Sequence, residues 1–263
     1  MENSTLRLII FFLTLILLAI LETYFSYRKR NLRRKDRWLG NIGLIAISNI
    51  IIKALLPLGL IPFAIYFQEK SLGVFNLINI NIYLEILFSF ILLDGIIYFQ
   101  HVLFHKIPFL WKIHRVHHAD TDLDVTSALR FHPLEILISI SYKLIFIFFL
   151  GIGPVAIVLF EIILSSMAMF NHSNLYLPKK LEGFMRLFIV TPQMHIIHHS
   201  VDRKESDMNY GFNLSIWDRI FKTYQKEFLI EGKIGLSYYR TKKEHEFKKI
   251  LLLPFKNIIS KRK

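Results

Sequence analysis

Long apolar stretches alternate with polar segments through the first two thirds of the chain. The stretches cover residues 5–24, 40–67, 77–100 and 134–171. A helix needs about 20 apolar residues to cross a bilayer, so each of the first three stretches predicts one transmembrane helix. The fourth is the longest, with 38 residues. Gly151, Gly153 and Pro154 divide it, which predicts a helical hairpin that crosses the membrane and returns.

The second stretch is interrupted by Lys53, Pro57 and Pro62. These breaks predict a kinked helix, or one packed inside the bundle. Composition agrees with a membrane protein, because 53% of the 263 residues are hydrophobic and the mean hydropathy is +0.41. Such a chain is too apolar for an ordinary soluble domain. It contains no cysteine, which excludes disulfides and thiolate metal ligands.

The distribution of charge orients the predicted helices. Residues 28–37 follow the first stretch and contain seven cations in ten residues. Positive loops favour the cytoplasmic side of a membrane, so this segment is expected inside the cell. Counting crossings from there returns residues 101–118 and 195–199 to the same side. The net charge of +13 fits contact with anionic lipid headgroups, and nucleic acid is not expected as a partner.

The predicted fold is an all-α integral membrane helical bundle with a cytoplasmic, histidine-rich metal-binding cap. Three parts are expected along the chain. Residues 1–75 hold N-terminal transmembrane helices and the basic loop, residues 76–230 form the catalytic domain, and residues 231–263 form a basic cytoplasmic tail. The lysine-rich residues 240–263 are expected to lie on the cytoplasmic surface, with His245 facing solvent.

Eight of the 11 histidines fall in three clusters. One cluster has the spacing H-x-x-x-H and two have H-x-x-H-H. Their members are His101, His105, His114, His117, His118, His195, His198 and His199. Residues three and four apart share a helix face, so each cluster can direct several imidazoles at one point. Neutral imidazole binds iron, zinc, copper and nickel, and eight imidazoles are too many for one ion. Two metal ions are therefore expected.

Several features leave alternatives open. Asp94 shares a helical stripe with Tyr98, His101 and His105. Its carboxylate either holds a ligand imidazole in the correct tautomer or packs between helices. A zinc hydrolase fits less well, because zincins carry a glutamate between their histidines and neither H-x-x-H-H cluster does. A non-enzymatic membrane metal-binding or transport protein would need ligands along a path through the membrane, whereas these clusters lie at the ends of helices.

The order of the clusters resembles that of the sterol desaturase / fatty acid hydroxylase superfamily over residues 90–225. Similar blocks occupy residues 94–101, 114–118, 130–133, 171–174, 191–195 and 209–219. The resemblance implies a membrane-bound non-haem diiron oxygenase. It would use O2 to hydroxylate a C–H bond of a fatty acid, sterol or related lipid. By the same resemblance the eight clustered histidines are ligands, His172 is a further ligand, and His132 either reaches the site or orients it.

The superfamily also contains lipid and sterol desaturases on the same scaffold, and the ligands alone do not separate the two outcomes. The lipid substrate is expected to come from the bilayer. A fused cytochrome b5 domain of about a hundred residues does not fit in this chain, so electrons are expected from a separate donor. That donor would be a cytochrome or a reductase paired with a ferredoxin. Phe104 and Trp111 are expected either to guide the substrate or simply to pack.

Overall fold

The computed structural model describes residues 2–57, 59–78, 80–229 and 232–256. The α-helices in this part of the chain are α1 Glu2–Tyr24, α2 Arg34–Leu55, α3 Ile61–Glu69, α4 Val74–Leu77, α5 Ile82–Lys106, α6 Pro108–His118, α7 Pro133–Leu150, α8 Pro154–His172, α9 Lys179–Met185, α10 Pro192–His198, α11 Arg203–Ser206, α12 Ile216–Ile220 and α13 Phe247–Leu251. Short 3-10 helices lie at Val125–Leu129, Lys242–His245 and Leu253–Phe255. Strand pairing among the described residues is limited to isolated antiparallel bridges, so the predicted all-α class is confirmed.

Five helices are long and apolar enough to cross a membrane, namely α1, α2, α5, α7 and α8. They occupy the predicted apolar stretches, but the second stretch does not form one kinked helix. Instead α2 ends at Leu55, and the residues beyond Pro57 form the separate helix α3. Pro62 lies in the first turn of α3, where its missing N–H has no partner to lose. At 1.5 Å per residue α3 is about 14 Å long, too short to span.

The turn between α7 and α8 explains the hairpin predicted for the fourth stretch. Gly151 follows α7 with a φ angle of +71°, a left-handed conformation that glycine adopts without a Cβ penalty. Pro154 begins α8, where proline is favoured because its φ angle already suits the helix. Gly73 lies so close that a Cβ added to it would overlap the backbone of Gly151. The segment before α4 therefore packs directly against the turn between α7 and α8.

An ion-paired triad lies inside the apolar bundle. Glu161 of α8 accepts a hydrogen bond from Lys143 of α7 at 3.1 Å. The other carboxylate oxygen of Glu161 lies 2.8 Å from the guanidinium of Arg7 in α1. An unpaired charge in hydrocarbon is expensive, so this triad sets the register of three helices against one another.

The basic run after α1 does not remain a solvated loop. Helix α2 begins at Arg34, and Arg37 in its first turn is fully buried. The Arg37 guanidinium donates to Asp120 at 2.6 Å and to Asp124 at 2.7 Å. A buried arginine is tolerated only when its donors are satisfied in this way. These ion pairs hold the start of α2 against the segment that follows α6.

One end of the bundle gathers the chain segments that carry the histidines. Glu22, near the end of α1, accepts hydrogen bonds from the backbone N–H groups of Val125 and Asn174. Those contacts bring the end of α1, the segment before α7 and the end of α8 together. His101 and His105 lie near the C-terminal end of α5, and His172 ends α8. We call this the histidine end of the molecule.

Residues 232–256 pack into the histidine end and do not trail as a loose tail. Tyr239, Ile250 and Leu253 join Leu44 of α2 and Val116 of α6 in one buried apolar cluster. Burial of large apolar side chains, each stabilising by about 1.5–3 kcal/mol, fixes this segment to the bundle. Residues 257–263 of the predicted tail lie outside the described residues.

The prediction that His245 faces solvent is wrong. Its ring is fully buried, with Nδ1 at 3.3 Å from the Arg130 guanidinium and Nε2 at 3.4 Å from the Thr121 hydroxyl. Lys242 and Lys243 remain exposed, so the charged neighbours that suggested a surface position point away from the ring. Burial, together with the nearby Arg130 charge, lowers the pKa of His245 to about 3. The ring is therefore neutral at physiological pH.

Candidate metal centre

Four helices deliver nine histidines to one buried region at the histidine end. Helix α5 supplies two, α6 supplies three, α8 supplies one, and α10 with its C-cap supplies three. None of the nine exposes more than 5% of its surface. They are the nine histidines predicted as ligands, including His172, which no cluster spacing in the sequence singles out.

The nine imidazoles form two groups, and within each group the candidate ligand nitrogens lie within 4.8 Å of one another. The five-histidine group consists of His101, His105, His114, His118 and His198. The four-histidine group consists of His117, His172, His195 and His199. Each H-x-x-H-H cluster contributes to both groups, because adjacent residues such as His117 and His118 point in different directions on a helix. The sequence predicts two ions but not this division of each cluster.

Ring nitrogens within the groups lie closer together than neutral imidazoles would without a bound cation. The Nε2 atoms of His101 and His114 are 3.2 Å apart. His101 Nδ1 contacts the Tyr210 carbonyl at 2.8 Å, and His114 Nδ1 contacts a Glu135 carboxylate oxygen at 2.6 Å. A carbonyl or carboxylate only accepts, so both Nδ1 atoms carry the proton and both Nε2 atoms present lone pairs. Two facing lone pairs need a cation between them.

The four-histidine group shows the same crowding. His172 Nδ1 donates to the Ala168 carbonyl at 2.7 Å, which leaves its Nε2 as an acceptor. That Nε2 lies 2.9 Å from Nε2 of His117 and 3.0 Å from Nε2 of His195. Both ring nitrogens of His199 are buried without a hydrogen-bond partner among the described residues. Buried polar atoms are rarely left unsatisfied, so these nitrogens are suited to binding a metal ion.

Protonation does not relieve the crowding. Burial is the main cause that lowers the pKa of His117, His118, His195 and His199 well below the ordinary value, and neighbouring imidazoles add to it. Burial likewise lowers the pKa of His198 to about 3. These five rings therefore stay neutral, and neutral imidazole is the form that binds a transition metal. The donor set, nine nitrogens and no thiolate, fits two such ions.

Several of the nine rings are oriented by groups outside the two histidine groups. The carboxylate of Glu135 holds His114, and the carbonyls of Tyr210, Met208 and Ala168 hold other rings through Nδ1. Partners of this kind fix the tautomer and raise the basicity of the nitrogen that faces the metal. Glu135 is a functional residue that the histidine spacing does not predict. Its signal is a lone carboxylate in the first turn of an apolar helix that begins just beyond the second histidine cluster.

Asp94 does not orient a ligand imidazole as the helical stripe suggested. Its carboxylate accepts hydrogen bonds from the Trp217 indole at 2.9 Å and from the backbone N–H of Leu214 at 3.0 Å. The backbone N–H of Asn213 lies 3.3 Å away. Asp94 therefore anchors the segment after Tyr210 to α5. It reaches the centre only indirectly, because that segment directly follows Tyr210, whose carbonyl holds His101.

His132 lies outside both groups. Its Nδ1 accepts a hydrogen bond from the backbone N–H of Leu134 at 3.2 Å, so the ring caps the N-terminus of α7. Its Nε2 lies 3.2 Å from the carbonyl of Leu251. A helix cap satisfies one of the free N–H groups of the first turn. The structure thus gives His132 a place in the fold and none among the clustered imidazoles.

Aromatic side chains close the centre from the sides. Phe131 stacks on His117 with ring centroids 4.3 Å apart and an interplanar angle of 11°. Phe104 is buried with its ring 5.5 Å from that of His114. The half-buried Trp111 lies 5.1 Å from His105 and 5.3 Å from His118 by the same measure. Phe104 and Trp111 therefore pack on the imidazoles themselves.

Fold and site together define a class of protein: an all-helical bundle with five helices fit to cross a membrane and a paired, buried polyhistidine centre at one end. The sequence model of the fatty acid hydroxylase family matches residues 86–223, just over half of the chain. The chain belongs to this family, and the predicted resemblance over residues 90–225 is confirmed.

Curated relatives match a stretch of similar length. The chain is 29% identical to the ornithine lipid hydroxylase OlsE of Rhizobium tropici over 53% of this chain and 41% of that protein. It is 29% identical to the alkylglycerol monooxygenase of Homo sapiens, over 53% of this chain and 30% of that protein. The chain thus spans well under half the length of these relatives. No solved structure matches it significantly.

Proposed function

We propose that the protein is a membrane oxygenase that hydroxylates a C–H bond of a lipid. The overall reaction joins R–H, O2, two electrons and two protons to give R–OH and water. The observation that carries the proposal is the pair of buried imidazole groups at one end of helices fit to span a bilayer. The printed names of the relatives, a lipid hydroxylase and a monooxygenase, support the same class of reaction.

The five-histidine and four-histidine groups would each hold one iron ion. An all-nitrogen set of neutral imidazoles suits iron, and two ions account for nine nitrogens better than one. When bound, the pair of irons would supply the electrons and the coordination sites that O2 activation requires. The chain's own contribution is to fix the rings. Glu135 and three backbone carbonyls keep Nδ1 protonated in four of the rings, so that Nε2 of those rings is free for the metal; the four are His101, His114, His172 and His198.

A lipid substrate fits the surroundings of the centre. On the outer face of α5, Phe99 is 45% exposed and Leu103 is 40% exposed, and both lie within one turn of His101. In a membrane these side chains would contact acyl chains. Phe131 and Phe104 line the other side with apolar surface. Water is thereby excluded from a reaction that would otherwise waste reducing equivalents.

The orientation and division of the chain are part of the proposal. The cations of residues 28–37 would place the histidine end in the cytoplasm, and the described C-terminal residues lie at that end. Residues 76–230 would form the catalytic unit, with residues 1–75 as its membrane support and residues 231–263 as a basic extension. Electrons would come from a separate donor.

Two alternatives use the same scaffold or the same ligands. A desaturase would remove two hydrogens and leave an alkene, and the relatives' names favour oxygen insertion instead. A metal transporter would need ligands spaced along a path across the membrane. Both groups lie together at one end, which disfavours transport.

The test measures the iron content of the purified protein and the lipids of the host cells. Expression under 18O2 should add one labelled hydroxyl oxygen to a membrane lipid, detected by mass spectrometry. His198→Ala should remove the labelled product and lower bound iron, because His198 Nε2 belongs to the five-histidine group. Lys243→Ala, at an exposed position, serves as the control and should keep both. An alkene without 18O would replace hydroxylation by desaturation, and labelled product from His198→Ala would refute the proposed centre.

A further inference from the structure

His105 connects the five-histidine group to charged side chains at the molecular surface. Its Nδ1 lies 3.5 Å from a carboxylate oxygen of Asp207. The other oxygen of Asp207 accepts hydrogen bonds from Lys106 Nζ at 2.8 Å and from Arg203 Nε at 3.3 Å. The side chains of Lys106 and Arg203 are 50% and 49% exposed. The Asp207 carboxylate thus links two solvent-exposed cations to a proposed ligand.

Trp111 provides a second connection at the same place. Its half-buried indole packs against His105 and His118, two members of the five-histidine group. The next residue, Lys112, is exposed. The electron-entry face, as we call it, consists of Lys106, Trp111, Lys112, Arg203 and Asp207. The face thus combines an aromatic ring, packed on two members of the five-histidine group, with three exposed cations, one of which is next to Trp111 in the sequence.

We infer that this face docks a small acidic one-electron carrier protein and that electrons reach the five-histidine group past Trp111 and His105. The inference rests on the proposed oxygenase function, which consumes two electrons per turnover. Two reduced carriers would each give up one electron and leave oxidised. The charges are complementary, because three exposed cations and the Asp207 carboxylate leave this face with a net charge of +2, which an acidic carrier would meet. A buried centre also needs a short route for electrons, and here only the indole and one imidazole intervene.

Transient redox complexes match the kind of surface seen here. Electron-transfer encounters bury little area, and their association is set mainly by charge at the rim of the contact. Exposed charges are screened by salt, with a Debye length of about 10 Å at 0.1 M ionic strength. The carrier should therefore bind weakly, quickly and in a salt-dependent way. Anionic lipid headgroups are the competing occupant of the same cations.

The experiment measures anaerobic oxidation of reduced plant-type [2Fe–2S] ferredoxin, an acidic carrier, by the iron-loaded enzyme in uncharged phosphatidylcholine nanodiscs. Stopped-flow absorbance gives the second-order rate constant without any lipid substrate. In the K106Q/K112Q double variant this constant should fall about tenfold at low ionic strength, because steering is lost. The rate constants of wild type and K106Q/K112Q should become equal at high salt. Binding of dye-labelled ferredoxin to the metal-free enzyme gives a second readout and should weaken in parallel.

The matched control is K179Q/K180Q, which removes two exposed lysines of α9 at the same end of the molecule. It should behave as wild type in both readouts. Equal ferredoxin rates and affinities in wild type and K106Q/K112Q would overturn the inference, as would a wild type that ferredoxin never reduces although dithionite does. Loss of binding to phosphatidylserine vesicles in K106Q/K112Q, with ferredoxin rates unchanged, would assign the face to lipid. A wild-type centre that dithionite cannot reduce would instead refute the proposed oxygenase function.

Discussion

Glu135 shows how much of the centre depends on a single side chain outside the histidine clusters. Its carboxylate is almost fully buried and contacts His114 Nδ1 at 2.6 Å. The spacing of the histidines identifies the ligand residue types, because two or three rings recur on one helix face. Glu135 lies on another helix and meets His114 only through the packing of α7 against α6. Local spacing carries no information about such a contact.

We predict that Glu135→Gln lowers metal affinity and turnover by about 10–100-fold without abolishing either. The amide keeps the shape but no longer offers a charged acceptor to the His114 N–H. Iron per protein is measured by mass spectrometry over a series of added iron concentrations, and excess iron should restore occupancy. Glu246→Gln, at a carboxylate 61% exposed, is the control and should match wild type. Full iron occupancy of Glu135→Gln at the lowest iron concentration would rule out the positioning role.

His245 illustrates the opposite error, in which a sequence context suggests more exposure than the fold allows. Five of the six residues within three positions of it are charged, yet contacts with Arg130 and Thr121 bury the ring. The pKa of His245 in the folded protein is lowered to about 3, below its ordinary value near 6.5. The unfolded chain therefore takes up a proton before the folded one does. Stability linked to this group is complete above about pH 6.5 and is lost as the pH falls.

We predict that His245→Gln destabilises the detergent-solubilised protein at pH 7.5 but by less at pH 5.5. Glutamine loses part of the buried contacts at every pH. Wild type additionally loses about 1.4 kcal/mol per pH unit below 6.5 from this one group, and glutamine does not titrate. Thermal unfolding of both proteins at the two pH values gives the comparison. The ligand histidines contribute equally to both proteins and cancel. A gap that widens toward pH 5.5 would mean that the buried ring is charged.

At the scale of helices, the sequence predicts lengths and ends well where glycine and proline mark them. Gly151 and Pro154 place the hairpin turn, because each has one strongly preferred position at a helix terminus. The break after Leu55 was harder to place. Pro57 and Pro62 are compatible with either a kink or a stop, and only packing of α3 against α7 and α8 decides between them.

Gly151→Ala should destabilise the protein by more than about 1 kcal/mol, because a left-handed conformation costs an alanine that much by itself. The new Cβ would also lie 2.8 Å from the Asn76 side-chain amide and 2.9 Å from the Leu72 carbonyl. Gly183→Ala is the matched control, since nothing lies within 4 Å of a Cβ there and the residue is inside α9. Thermal unfolding in detergent should show a lower midpoint for Gly151→Ala and no decrease for Gly183→Ala. Equal midpoints would show that the hairpin turn tolerates a side chain.

At the scale of the whole molecule, an even number of crossings brings every histidine cluster to one end. The structure shows that common end through contacts from Glu22 to Val125 and Asn174, and from Arg37 to Asp120. The number of apolar stretches in the sequence predicts the same arrangement. The sequence does not predict which histidines of each cluster belong to which group, since that depends on how α6 and α10 face each other across the centre.

The side of the membrane that the histidine end occupies leads to a final prediction. The chain has no cysteine, so a single introduced thiol reports its own location. Lys180→Cys and Lys243→Cys lie exposed at the histidine end, and Lys70→Cys lies exposed beyond α3 at the opposite end. The cations of residues 28–37 resist transfer across the membrane and should retain the histidine end in the cytoplasm. A membrane-impermeant maleimide should therefore label Lys70→Cys in intact cells, and the other two only after the membrane is permeabilised. Each variant must first retain bound iron, which confirms that the folded protein is being labelled.

Labelling of Lys180→Cys in intact cells would place the centre on the outer side and would remove a cytoplasmic electron donor from the proposal. Labelling of Lys180→Cys and Lys243→Cys on different sides would contradict the common histidine end itself, because both positions flank the same buried rings.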